Sequence, residues 1–266
     1  NCSAVNKEWI DPSCSFAATT PALTGSQRIL TITVLRKAGT PAVGIPVAFV
    51  VTGANNLAGP GDPPFITDAM GRLTFTYTGA NSGIDTITAT TTVDGVGPNI
   101  CTVQQEWTNT GCMLTPANDT NQINSNHTIT IAVTKNGVAQ PGIIVGFEIV
   151  SGPNTGITDV GLTNALGRTT FTYTGTGGVG TDTINATGTV GGFAFLCTAT
   201  KTWIDISCSL APLVDSNQVG TNHTVTASVF NGGAPINPDG GQILFEILAG
   251  SPNAGGPFIR LTGGDN

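Results

Sequence analysis

Charge is what this chain has least of. Asp, Glu, Lys and Arg make up 9% of its 266 residues, against roughly 25% in ordinary soluble domains. Nine Lys and Arg stand against 16 Asp and Glu, for a net charge of −7, and the basic residues form no cluster. Nucleic acid and anionic membrane surfaces need Lys and Arg arrayed along a face, so no nucleic acid is expected as a partner. No run approaches the about 20 apolar residues of a membrane span, and no basic segment with an apolar core opens the chain as a signal peptide would. There is no C-x-x-C, which argues against a thioredoxin-like or zinc-knuckle site. With two histidines in all, an H-E-x-x-H site cannot be built, and no Ser-His-Asp pattern is visible. No catalytic residue, metal or cofactor is assigned, and the chain is not read as an enzyme.

Helical patterning is missing too, and what replaces it is a period of two. Ile129, Ile131 and Val133 alternate with Thr128, Thr130 and Ala132. Val145, Phe147 and Ile149 do the same, as do Phe171 and Tyr173 among threonines. This pattern marks strands with one buried face, and threonine suits the other face because its branched Cβ packs well on a pleat. Turn signals separate the runs: Asn136-Gly137, Asp94-Gly95, Gly191-Gly192, and Pro46 and Pro141 beside glycines. About seven short strands per segment predict antiparallel β-sandwiches.

The chain also repeats itself. Trp9, Trp107 and Trp203 each stand between two cysteines, at Cys2 and Cys14, Cys101 and Cys112, and Cys197 and Cys208. The tryptophans are 98 and 96 residues apart, about the roughly 100 residues of one immunoglobulin-like sandwich. The boundaries read as the last strand of a preceding repeat over 1–10, full repeats over 11–107 and 108–203, and an incomplete repeat over 204–266. The chain reads as a window on a longer array.

Further matches bind the repeats together. Gly71-Arg72-Leu73-Thr74-Phe75-Thr76-Tyr77-Thr78-Gly79 and then GIDTITAT return as Gly167-Arg168-Thr169-Thr170-Phe171-Thr172-Tyr173-Thr174-Gly175 and then GTDTINAT. VAFVVTGANNLAG, VGFEIVSGPNTG and ILFEILAGSPNAG occupy one place in the three repeats. On these residues essentially the whole chain resembles the bacterial immunoglobulin-like domains of the invasin and intimin type. The resemblance implies tandem sandwiches on a cell surface or secreted fibre, often holding a binding tip away from the cell. The cysteines flanking each Trp are not a general feature of that family.

Six cysteines in a low-charge β-rich chain point to an oxidising compartment. Two pairings respect the repeat. The local one joins Cys2 to Cys14, Cys101 to Cys112 and Cys197 to Cys208. Its 11-residue separation could span about 36 Å if strand runs into strand, whereas a disulfide needs Cα atoms within about 7 Å, so the chain would have to double back at every junction. The intradomain pairing joins Cys14 to Cys101 and Cys112 to Cys197, as an immunoglobulin-like first strand lying parallel to the last allows, and leaves Cys2 and Cys208 to partners outside this stretch. We expect the second, with each bond worth roughly 4–5 kcal/mol in the chain-entropy model.

Other signals have bland readings. The tryptophans read as plugs at the domain junctions and as core residues at a sandwich end, two readings that do not exclude each other. Gly175 to Gly180 fits G-x-G-x-x-G, but a strand follows where a dinucleotide site needs a helix. His127 and His223 share one place in two repeats, where the first has Arg28, and read as surface residues at a strand start. Asp85 with Asp182, and Asp68 with Asn164, recur; calcium needs about six to eight oxygens and no dense carboxylate cluster is visible, so turn and loop hydrogen bonding is expected. Asn118, Asn126, Asn185 and Asn222 begin glycosylation-type triplets that a Thr- and Asn-rich chain produces by chance.

The sequence therefore predicts an all-β chain of tandem immunoglobulin-like antiparallel β-sandwiches, extracellular or on a cell surface, forming a stalk or the body of a surface filament. Its partners would be neighbouring repeats of the same longer chain or identical subunits. The alternative is an adhesin binding module that recognises a host receptor or glycan through loops at the sandwich ends. The Pro-rich loop Gly59 to Pro64 is the longest candidate, without an aromatic cluster.

Overall fold

Alternation of threonine with aliphatic and aromatic residues settles into strands throughout. The computed structural model describes residues 11–57, 65–236, 241–249 and 251–261. Cys2, Trp9 and the loop 59–64 lie outside the described residues.

Unit one contains eight strands: β1 (Ser13–Phe16), β2 (Ala22–Leu23), β3 (Gln27–Leu35), β4 (Pro46–Gly53), β5 (Phe65–Ile66), β6 (Arg72–Thr78), β7 (Gly83–Val93) and β8 (Val96–Thr108). They form two sheets, β1-β3-β6 and β2-β8-β7-β4-β5. Unit two repeats the plan with β9 (Thr110–Thr115), β10 (Asn118–Gln122), β11 (Asn126–Lys135), β12 (Val138–Ala139), β13 (Ile144–Ser151), β14 (Thr158–Leu162), β15 (Arg168–Thr174), β16 (Gly180–Val190) and β17 (Phe193–Ile204). Its sheets run β10-β17-β16-β13-β14 and β12-β11-β15, with β9 also on β11. Neighbours are antiparallel with one exception per unit. The short second strand lies parallel to the last, β2 on β8 and β10 on β17. That switch of the leading chain from one sheet to the other makes each sandwich immunoglobulin-like. In unit two Pro116, which has no N–H to give a ladder, stands where the chain leaves one sheet for the other.

The turns carry the geometry their residues favour. Asp94-Gly95 and Asn136-Gly137 both have positive φ at their two residues, 49° and 78°, and 53° and 77°. This is the type I′ pattern whose twist matches the flanking strands.

Each unit has its own core. One draws on residues between Cys14 and Trp107, the other on residues between Cys112 and Trp203. Through each runs a ladder of rings. Phe49 stacks on Phe75 with centroids 4.8 Å apart, Phe75 on Tyr77 at 5.4 Å, and Tyr77 meets Trp107 edge-on at 5.4 Å. Phe147, Phe171, Tyr173 and Trp203 repeat the ladder at 5.3, 5.2 and 5.6 Å. Each buried ring contributes about 1.5–3 kcal/mol by burial alone.

The third unit begins with β18 (Ile206–Ala211), β19 (Thr226–Asn231) and β20 (Ala234–Pro235), which form one sheet, and a hairpin of β21 (Gln242–Ile247) with β22 (Gly255–Leu261). Among its described residues past Ile204 none is buried.

Candidate functional site

Three features recur at the place where each unit begins and ends: a disulfide, a buried polar hub and a junction latch.

The disulfides join Cys14 to Cys101 and Cys112 to Cys197, with Cα atoms 5.9 and 6.0 Å apart. Each bond links the first strand of its unit to the last, and so links the two sheets. The register explains the pairing. Cys14 lies opposite Val34 and Cys112 opposite Val133, both fully buried, so both thiols face the core, where β8 and β17 bring Cys101 and Cys197. Cys208 takes the same place opposite Val229 and is exposed with a free thiol.

The hub is a carboxyl group in the core. Asp85 is 0% exposed. Its Oδ2 accepts hydrogen bonds from Trp107 Nε1 (2.8 Å), Asn55 Nδ2 (3.0 Å) and Tyr77 Oη (3.2 Å), and its Oδ1 from the Asn55 backbone N–H (2.7 Å). Asp182 repeats this with Trp203 Nε1 (2.6 Å), Asn154 Nδ2 (2.8 Å), Tyr173 Oη (3.0 Å) and the Asn154 backbone N–H (2.9 Å). The Asn oxygen then takes a backbone N–H from the following loop, Asn81 at 2.7 Å in unit one and Gly177 at 2.8 Å in unit two. One aspartate thus ties three strands, from both sheets, and two loops together, in the fully satisfied form that a buried polar network requires. Burial pushes the Tyr77 and Tyr173 hydroxyls well above the ordinary tyrosine range, aided by the aspartate each one faces. Glycine is needed beside the indole: a Cβ on Gly79 or Gly175 would overlap the ring of Trp107 or Trp203.

Two of the tryptophans take the core position. Trp107 and Trp203 are fully buried in the cores of their own units, because the indole N–H has its acceptor there. Polar bonds gather at each junction: one pair extends the leading ladder of the unit that follows, and the contacts that cross between units are Lys135 with Glu106 and Gln122 with Asp205 and Ile206. Asn109 donates its N–H to Asn136 Oδ1 at 2.8 Å, and Asn136 returns its own N–H to the Asn109 carbonyl at 2.7 Å. Asp205 with Asn231 repeats the first bond at 2.7 Å, and Gly232 donates to the Asp205 carbonyl at 3.0 Å. Lys135 adds an ion pair to Glu106 at 3.4 Å. Gln122 accepts from the Ile206 N–H at 3.1 Å and donates to Asp205 at 3.2 Å.

The histidine reading needs correction. His127 is 3% exposed, not a surface residue. It is in phase with Ile129, Ile131 and Val133, so the period of two turns it inward. Its Nδ1 lies 3.2 Å from Asp119 Oδ2, which also receives Lys201 Nζ at 2.5 Å. Lys201 is fully buried, with its ammonium 5.2 Å from the Trp203 ring centroid. In unit one the same three places hold Arg28, Thr20 and Gln105. Arg28 donates to Thr20 and to Gln105 Oε1, and Gln105 to the Thr20 carbonyl. His223 meets Asp215 at 3.1 Å in the third unit.

Neither aspartate pair gathers free oxygens for calcium. Asp85 and Asp182 are filled by the donors above, and Asp68 and Asn164 each take two backbone N–H groups of their own turn. Among the described residues no three His, Cys, Asp or Glu gather as a metal site, and no helix is long and apolar enough to cross a membrane. Gly175 to Val179 forms the loop between β15 and β16, and Gly180 opens β16.

No family model and no curated protein matches the chain. Among solved structures it is similar to the D00-D0 domain of Intimin, at 16% identity and a TM-score of 0.40, over 72% of this chain and all of that one. It is similar to a tetra-tandem repeat in the extending region of a large adhesion protein, at 17% identity and a TM-score of 0.32, over 88% of this chain and 58% of that one. It is also similar to invasin, a bacterial integrin-binding protein, at 18% identity and a TM-score of 0.31, over 89% of this chain and half of that one. The immunoglobulin-like architecture itself rests on the strand order and the parallel terminal pair of each unit.

Proposed function

We propose that the chain is a tension-bearing segment of an extracellular stalk or surface filament, in which each sandwich is a nearly inextensible link. The observation that carries this is the placement of the disulfides. Force applied to the ends of unit two enters near Thr110 and leaves near Ile204. The Cys112–Cys197 bond spans 85 residues of sequence, so the force crosses from first strand to last through that bond. Only the few residues outside the bracket are free to extend. The Cys14–Cys101 bond brackets 87 residues in the same way.

The parallel terminal pair supports the same reading. If the bond is reduced, force reaches β10, and pulling its start against the end of β17 then loads their five paired positions together as a second line of resistance. The hub anchors β17 behind that pair. Oxidised cysteines and low surface charge suit a site outside the cell, and the resemblance to invasin- and intimin-type repeats agrees with such a role. The contacts of Lys135 with Glu106 and of Gln122 with Asp205 and Ile206 tie successive units together.

Images of the native assembly test this reading. Filaments or stalks with a regular axial repeat of one sandwich are expected. Isolated monomers engaged to a receptor or glycan through the sandwich-end loops would replace the structural role with the binding-module role.

A further inference from the structure

We propose that unit two carries a proton-sensitive latch at the β10–β17 seam, with His127 as the group that takes the proton, and that unit one carries the same latch in a form that does not titrate. The two sets of residues occupy matching places. Arg28 lies opposite Tyr77 and His127 opposite Tyr173; Gln105 and Lys201 each precede their Trp by two residues; Thr20 and Asp119 each stand two residues before the one paired with that Trp, Ala22 and Asn121. Thr20, Arg28 and Gln105 change together into Asp119, His127 and Lys201. Each set closes on itself, and mixing them would strand a charge.

Every element packed around His127 contributes a group that senses its charge. β10 supplies Asp119, β17 supplies Lys201, β15 supplies Tyr173 edge-on at 5.8 Å, and β16 supplies Asp182 nearby. With a neutral imidazole, one carboxylate answers one ammonium. A proton on the ring sets two cations against Asp119 in a site where Lys201 is fully buried. The new N–H would sit on Nε2, a buried atom with no hydrogen-bond partner among the described residues. A donor left unmade there carries its full desolvation cost. Burial first, and the Lys201 charge second, hold the His127 pKa below its ordinary 6.5 against the pull of Asp119.

The sign follows from that direction. A group that takes a proton more readily in the opened state makes the closed state weaker as protons become available. The latch is therefore complete above about pH 6.5, the ordinary histidine value, and weakens as pH falls below it. Asp119, held below the carboxylate range chiefly by the hydrogen bond from Lys201, gives way only at a lower pH.

Opening has one easy route. β10 is the edge strand of its sheet and pairs only with β17, so releasing Asp119 releases β10. Gln122, the last residue of β10, carries the bonds to Asp205 and Ile206 at the next junction. Protonation of His127 would thus loosen the seam of unit two and the joint that follows it.

Hydrogen exchange on the full disulfide-bonded chain tests this, read by peptide at pH 7.5 and 5.5 and corrected for the intrinsic pH dependence of exchange. We expect protection at 118–122 and 200–204 to fall several-fold at the lower pH, while 20–24 and 105–108 keep theirs. His127→Gln keeps the Asp119–Lys201 pair and should remove the pH effect. So should the combined Asp119→Thr, His127→Arg, Lys201→Gln variant. Unchanged protection in the native chain, equal loss in both units, or a loss that survives in His127→Gln would overturn the proposal.

Discussion

Units one and two differ most where they are otherwise closest in design. Their aromatic ladders, disulfides and the Asp-Trp-Tyr-Asn sets of their hubs match, yet the slot beside the hub holds Arg28 with the uncharged Thr20 and Gln105 in one and a Lys-Asp-His cluster in the other. The parallel pair behind that slot spans two positions in unit one and five in unit two. The hub tolerates no change because its members satisfy one another in the core, where any loss orphans a buried donor. The slot sits at the rim, with the Asp119 side chain 37% exposed, so its chemistry can change provided all three residues change together.

The hub gives the largest expected effect, and it should be the same in both units. Trp107→Ala and Trp203→Ala each remove a fully buried ring and should cost about 3–5 kcal/mol. Denaturant unfolding with exchange read on each unit would measure it, and a loss confined to one unit would break the equivalence. Next comes the slot, where the units should part. Asp119→Ala leaves Lys201 buried without its carboxylate. Breaking a buried pair costs about 3–5 kcal/mol, and the partial exposure of Asp119 places this case at the lower end. Thr20→Ala removes one neutral acceptor and should cost only about 1 kcal/mol. Similar losses in the two would show that the ion cluster does not hold its seam. The junction comes last. Gln122→Ala deletes the two hydrogen bonds that unit two makes to Asp205 and Ile206, each worth about 1 kcal/mol. It should leave both unit stabilities nearly unchanged while widening the spread of end-to-end lengths seen by small-angle scattering.

Much of this was written plainly in the sequence. The Trp spacing and the alternation of Thr with Ile, Val and Phe mark the sandwiches, because a pleated strand turns every second residue inward. Asp-Gly and Asn-Gly mark turns that only such residues enter easily. The hub was harder to see. Asp85 and Trp107 lie 22 residues apart, and nothing local announces that β7 and β8 bring them together with Asn55 and Tyr77. The signal available was the joint recurrence of Asn, Tyr, Gly, Asp and Trp in both repeats. The same alternation that buries Ile129 places His127 inside, and Lys201 falls in phase with Ala199 and Trp203. Reading polar residues as surface residues hid both. Trp107 and Trp203 stand close to the junctions in sequence, but their N–H groups turn back into the preceding core.

The direct test of the link proposal is single-molecule extension of the three-unit chain with and without reductant. Oxidised, units one and two should give no long unfolding step, because the bonds bracket 87 and 85 residues. Under reductant each should add a step of about 300 Å, at roughly 3.6 Å per released residue. Steps of that length without reductant, or identical traces in both conditions, would contradict it.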